Sequence, residues 1–148
     1  MKWSIIRKIL ITALIALVVI QFISIDKANP KVNEMEDFIS NTRPPAKVAD
    51  MIRNACYDCH SHETTYPWYT NVQPVAWWIK GHIKEGKKHL NYSEWASYSQ
   101  DKQTHKIEES IEEIESNHMP LKSYTWTHSK AKLSHRDREE MIQWLKSL

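Results

Sequence analysis

Both cysteines of this 148-residue chain fall in one pentapeptide, Cys56-Tyr57-Asp58-Cys59-His60. Two residues between the thiols close too short a loop to staple a fold. The pair therefore leaves three chemistries: haem attachment, a thiol redox couple, or half of a metal site. In the first, the thiols add across the two vinyl groups of haem, whose separation the spacing matches. The next residue then swings its imidazole under the iron as proximal ligand. A macrocycle fixed in this way supplies core to a domain too small to enclose it unaided. A thioredoxin-like couple calls for βαβ surroundings, and none are visible. A zinc site needs further ligands at finger-like spacing. His62 is near, but there is no second cysteine pair.

The N-terminus sets the compartment. Lys2, Arg7 and Lys8 precede Ile9–Ile25, 17 residues without a charge. At about 1.5 Å per residue, a helix of that length nearly crosses a hydrocarbon core of about 30 Å. Ser24-Ile25-Asp26-Lys27-Ala28 offers no small-x-small cleavage site, so an uncleaved signal anchor is expected over a cleaved signal peptide. Positive residues stay in the cytoplasm, which exports the rest of the chain: a single-pass protein of the cytoplasmic membrane, with its C-terminal domain periplasmic or otherwise extracytoplasmic. The formal charge of +2 conceals a split, because those three cations leave 17 basic against 18 acidic residues. A body so balanced has no electrostatic footprint for nucleic acid.

Residues 26–43 read as a linker between the anchor (1–25) and a soluble domain over 44–148, since Asn29-Pro30 and Arg43-Pro44-Pro45 break any regular element. Four helical stretches follow. Val48, Met51, Ile52 and Ala55 recur at helical spacing from Pro45 into the cysteine motif. Val75, Trp78, Ile79, His82, Ile83 and Leu90 follow one face after Pro74. Ser93 to Asn117, with a break near Ser99, carries the stripe Ile107, Ile111 and Ile114 opposite a solvated acidic face. Ser134 and Asp137 open a last helix with Met141, Ile142, Trp144, Leu145 and Leu148 on its apolar side. No stretch alternates long enough for a strand. The fold class is all-α behind a transmembrane anchor helix, and the order of its parts resembles that of small c-type cytochromes, which implies a small cytochrome c-like helical domain. The motif ends the domain's first helix, a terminal helix is placed to pack on it, and His118-Met119-Pro120 lies between.

Many segments together resemble the bacterial haem-binding domain proteins, small exported proteins with a cytochrome c-like signature. The resembling residues are Ala55 to Ser61, Glu63-Thr64-Thr65-Tyr66-Pro67-Trp68-Tyr69, Pro74-Val75-Ala76-Trp77-Trp78, Gly86, Leu90-Asn91-Tyr92-Ser93-Glu94-Trp95, Met119-Pro120-Leu121, Tyr124, His128 and Ala131-Lys132-Leu133-Ser134. The likeness spans about Pro44 to Leu148 and leaves out the anchor and linker. Met119-Pro120-Leu121 departs slightly from the more usual Met-Pro-Pro. The resemblance implies covalent haem binding and electron transfer, and no defined reaction.

The expected cofactor is one covalently bound haem c, held by Cys56, Cys59, His60 and Met119, with His60 and Met119 as the iron's axial pair. A following proline stiffens the loop that presents Met119. His118 and His82 are the rival sixth ligands. His62 is too close to His60 to reach the opposite face, His89, His105 and His135 read as exposed, and His128 as a candidate to line the pocket. Trp68, Trp77, Trp78, Trp95 and Trp126 are placed either to wall the haem or to fill the core. Tyr66 and Tyr124 could bond a propionate; Lys80, Lys84, Lys87 and Lys88 could neutralise one or form a plain solvated face. The expected function is single-haem electron transfer with an unidentified redox partner in or on the membrane, a carrier rather than an enzyme. The alternative is a peroxide-reactive enzyme or gas sensor with a displaceable sixth ligand, against which no distal His–Arg pair can be picked out.

Overall fold

The computed structural model describes residues 2–148. All regular structure is helical and, among the described residues, there is no strand. The elements are α1 (Lys2–Ile20), α2 (Phe38–Thr42), α3 (Ala46–Ile52), α4 (Asp58–His60), α5 (Val75–His89), α6 (Gln100–Glu115), α7 (Lys122–Thr125) and α8 (His135–Leu145). A π-helical segment, Arg53–Tyr57, joins α3 to α4, so the cysteine motif ends one bent rod. Short 3-10 turns at Trp68–Asn71, Tyr92–Ser97 and Ser129–Ala131 make the connections.

The helix boundaries follow local chemistry. Pro74 and Ser99 stand at the starts of α5 and α6. Ser134 and Asp137 form a complete capping box for α8, each side chain accepting from the other's backbone N–H. Lys87, Lys88 and His89 occupy the last turn of α5, where cations favour the exposed carbonyls.

Residue pattern then decides packing. Val48, Met51 and Ile52 of α3 and Met141, Ile142 and Leu145 of α8 are buried in one core, with Ile114 of α6. Ile107 and Ile111 pack against its edge. The first domain helix thus lies on the last. At the centre of this core is Phe38, 1% exposed. Its ring sits 4.7 Å from those of Tyr92 and Trp95 and 5.8 Å from that of Trp144.

Phe38 corrects the reading of 26–43 as a linker and of the domain as starting at Pro44. Asp37 accepts from the N–H groups of Ile39 and Ser40, caps the five-residue α2, and seats Phe38 inward. A helix of one turn is too short to show a period in sequence, and the flanking prolines hid it. The earlier part of the segment is tied down as well: Asn29 donates to the Thr64 carbonyl (2.8 Å).

Helix α1 has the opposite character. Trp3–Ile20 has a mean hydropathy of 2.2 and no part of it is buried in the domain. Such a helix is compatible with a membrane anchor or a signal sequence.

Candidate haem site

The site grows out of the bend between α3 and α4. Tyr57 and Asp58, the two variable positions of the pentapeptide, fasten it on opposite sides. Tyr57 is buried, stacks on Tyr92 (centroids 5.4 Å apart) and donates its hydroxyl to Asp37 Oδ2 at 2.9 Å. Burial, and then the neighbouring Asp37 carboxylate, push its pKa well above the ordinary phenol value. Asp58 faces outward. Its Oδ1 accepts from the Thr65 N–H (2.7 Å), its Oδ2 from the Tyr124 hydroxyl (2.7 Å), and its carbonyl from the Thr64 hydroxyl (2.8 Å). The x-x residues therefore clamp the turn that presents the two thiols and the imidazole.

Helix α5 closes on that turn at Gly86. A Cβ there would stand 2.7 Å from the Cys59 carbonyl oxygen, so only glycine lets the helix lie this close. Just past the end of α5, the Leu90 carbonyl meets His60 Nδ1 at 3.1 Å. A carbonyl can only accept, so Nδ1 carries the proton and Nε2 keeps its lone pair. Burial also lowers the pKa of His60, which favours the neutral ring. An imidazole oriented by a backbone carbonyl through Nδ1 is the usual arrangement of a metal-ligating histidine.

His60 and Cys59 open on a cavity of about 890 Å³, which also takes Met119, Trp77, Trp78, His82 and Tyr92 into its walls. That size is within the range of cofactor sites. Met119 is half-buried and rigidly mounted: its N–H donates to the Glu113 carbonyl (3.0 Å), and its carbonyl accepts from Arg138 Nη1 (2.7 Å). Cys56 is half-buried against the core rather than on the cavity wall, while its neighbours Ala55 and Cys59 line it. Burial raises the Cys56 thiol to about 12, and burial followed by the Asp58 charge raises Cys59 to about 11. A reactive dithiol needs the opposite shift. Among the described residues, no three His, Cys, Asp or Glu side chains are grouped to hold a metal ion, so a structural zinc lacks its other ligands. Cavity size, tautomer and the grouping of Cys59, His60 and Met119 fit a haem, with Cys56 just behind the wall.

The remaining candidates separate. His118 is exposed and 3.6 Å from the Glu113 carboxylate. His82 lines the cavity from α5, its Nδ1 2.9 Å from the Trp78 carbonyl. His89, read as merely exposed, is exposed and also lines the cavity. His128 lines a smaller cavity of about 350 Å³ that shares Cys59, Trp78, His82, Leu121 and Tyr124 with the first. Of the five tryptophans, Trp77 and Trp78 wall the haem-sized cavity, Trp95 belongs to the core, and Trp68 and Trp126 are exposed. Tyr124 is not free for a propionate, because Asp58 takes its hydroxyl; Tyr66 accepts from Lys80 instead. Of the four lysines considered, Lys84 lines the cavity, joined by Lys106, which the sequence had not singled out. The solvated acidic face of α6 also borders the cavity, since Glu109, Glu112 and Glu113 stand on its wall. Helix periodicity marks which residues leave the core but not which of them border a cavity.

Comparison with known proteins agrees with this geometry. Neither the curated proteins nor the solved structures gave a match. A family model described as "Haem-binding domain" matches residues 15–147, nearly the whole chain, and the chain belongs to that haem-binding domain family.

Proposed function

We propose that the chain is a membrane-anchored electron carrier with one haem c. The observation that carries the reading is that Cys59, His60 and Met119 face one haem-sized cavity, with His60 Nδ1 engaged by Leu90 so that Nε2 is left to bind. Cys56 and Cys59 would hold the macrocycle as thioethers. His60 and Met119 would be the protein's donors to the iron. Bound there, the haem supplies reversible one-electron exchange between ferric and ferrous iron. The polypeptide keeps the donors fixed: Asp37 and Asp58 hold the motif turn, Glu113 and Arg138 hold the Met119 backbone, and Trp77 and Trp78 offer flat apolar faces on the wall. Of the two lysines on the cavity wall, Lys84 is available to a propionate, whereas Lys106 pairs with the Glu109 carboxylate.

Helix α1 would remain uncleaved and span the membrane, with Lys2, Arg7 and Lys8 in the cytoplasm and the domain outside. Its redox partner would then be a protein in or on the same membrane. Among the described residues no arginine lines the cavity. That counts against the alternative, a peroxide-cleaving enzyme with a distal His–Arg pair.

The test uses full-length protein expressed with a c-type maturation system. Haem should stay on the polypeptide through acidified organic solvent and denaturing electrophoresis. Replacing Cys56 or Cys59 by Ser should leave one thioether at most. Haem that leaves the wild-type chain would refute covalent attachment. Rapid carbon monoxide binding by the wild-type ferrous form would refute a closed six-coordinate site and favour a sensor or enzyme. The anchor should survive a carbonate wash, and protease added to spheroplasts should digest the domain; a mature N-terminus after Ile25 would show a cleaved signal.

A further inference from the structure

One apolar face of the domain lies where α1 ends. Gln21, the first residue after the helix, makes a reciprocal pair with the backbone of Gln73: Nε2 donates to its carbonyl (3.1 Å) and Oε1 accepts from its N–H (2.9 Å). Two further bonds extend the seam. Trp77 Nε1 donates to the Ile23 carbonyl (3.0 Å), and Lys80 Nζ to the Asp26 carbonyl (2.7 Å). Lys27 reaches Asn71. No slack separates the helix from the domain, because a chain advances at most about 3.6 Å per residue. Around this seam Trp68, Val72, Val75 and Trp78 are exposed, as are Phe22 and Ile23 on the chain leaving α1.

We propose that this face, Trp68–Val72–Val75–Trp78, docks on the phospholipid surface of the membrane that α1 crosses. The inference rests on α1 being a membrane anchor. If α1 is one, its 19 residues cover about 28 Å, the long side chains of Arg7 and Lys8 reach back to the cytoplasmic headgroups, and its end lies at the far boundary of the hydrocarbon. Gln21 then brings Gln73, and Val72 and Val75 on either side of it, to headgroup level. Tryptophan is the side chain favoured at that depth, and Lys27 and Lys80 supply the cations that meet anionic headgroups. Trp77 and Trp78 also wall the haem-sized cavity. The docked face therefore sets that cavity beside the bilayer, within reach of a partner in the membrane plane rather than one diffusing above it.

The experiment uses the full-length holoprotein in phosphatidylethanolamine–phosphatidylglycerol vesicles doped with a phosphatidylcholine carrying a photoactivated diazirine in its acyl chain. Crosslinked peptides are mapped by mass spectrometry. Lipid should be found on α1 and also on residues 68–78, and not on α8. The double variant Val72→Asp, Val75→Asp should lose the crosslinks at 68–78 while keeping those on α1 and the haem spectrum. Gln21→Ala, which removes both bonds to Gln73, should reduce them. Crosslinks on α1 alone would overturn the docking and leave the anchor standing. Crosslinks on neither would overturn the anchor and the docking with it. Adducts at 68–78 to a second copy of the chain, in place of lipid, would make the face a dimer contact and overturn the proposal.

Discussion

The two glycines of this chain sit in the same helix, five residues apart, and should respond to alanine with opposite sign. Gly81→Ala adds a methyl group that meets no protein atom within 4 Å. It should gain the ordinary helix preference for alanine, about 1 kcal/mol. Gly86→Ala gains the same preference but drives its Cβ to 2.7 Å from the Cys59 carbonyl oxygen and 3.3 Å from the carbonyl carbon and Cβ of that residue. These are backbone-anchored atoms that cannot swing aside. Overpacking of that kind costs about 1–3 kcal/mol. Because the propensity gain is common to both variants, the difference between them isolates the clash. With a urea slope of about 1–3 kcal/mol/M, the two midpoints should separate by about 1 M, Gly86→Ala being the lower. The assay is urea unfolding followed by far-ultraviolet circular dichroism, on matched haem-free preparations, because Gly81 also lines the cavity proposed for haem. The clash also bears on the site, since it levers α5 from the turn that holds His60 against Leu90. The Gly86 variant should therefore perturb the haem spectrum. If the two variants are stabilised alike, α5 does not lie on the Cys59 carbonyl, and the account of how the motif turn is held in place is wrong.

Three other outcomes are expected. Phe38→Ala should cost about 3–5 kcal/mol of unfolding free energy, as for a fully buried aromatic ring, while Met35→Ala at an exposed position should stay within about 0.5 kcal/mol; a mild Phe38 variant in urea would restore the linker reading. Tyr57 and Tyr92 both have pKa values raised in the folded chain, by burial first and then by Asp37 and Cys56 respectively. Their folded forms hold the proton longer than the unfolded value of 10 allows, so their contribution is whole below pH 10 and is lost as pH rises above it. The loss approaches about 1.4 kcal/mol per pH unit for each tyrosine, and Tyr57→Phe should make the fall in urea midpoint between pH 10 and 11 shallower; an unchanged slope would contradict this. Met119→Ala should turn the ferric haem toward high spin and open the ferrous form to carbon monoxide, whereas His118→Ala should change neither; the reverse pattern, or a high-spin His82 variant, would make the sixth ligand a histidine.

What the sequence determined by itself was local. Helical spacing located the long helices, Ser134 and Asp137 specified a cap, and the uncharged run from Ile9 declared an apolar helix, though the helix ends at Ile20 rather than Ile25, because each of these depends only on residues within a few turns of one another. The pentapeptide Cys56 to His60 narrowed the chemistry to three choices for the same reason, and the match to the haem-binding domain family selects haem among them. The tertiary structure decided whatever depends on residues far apart. Phe38 is central to the core because Tyr92 and Trp95 from one later segment and Trp144 from another close around it, and nothing around position 38 announces them. Asp37 is a partner for Tyr57 only after the chain has turned back on itself. Five tryptophans that were equivalent on paper divide among cavity wall, core and surface, since a flat side chain suits all three and only the packing of helices assigns it. His89 and Lys106 reach the cavity from helix faces that read as wet, because an open cavity admits solvent and its walls keep the polar signature of a surface.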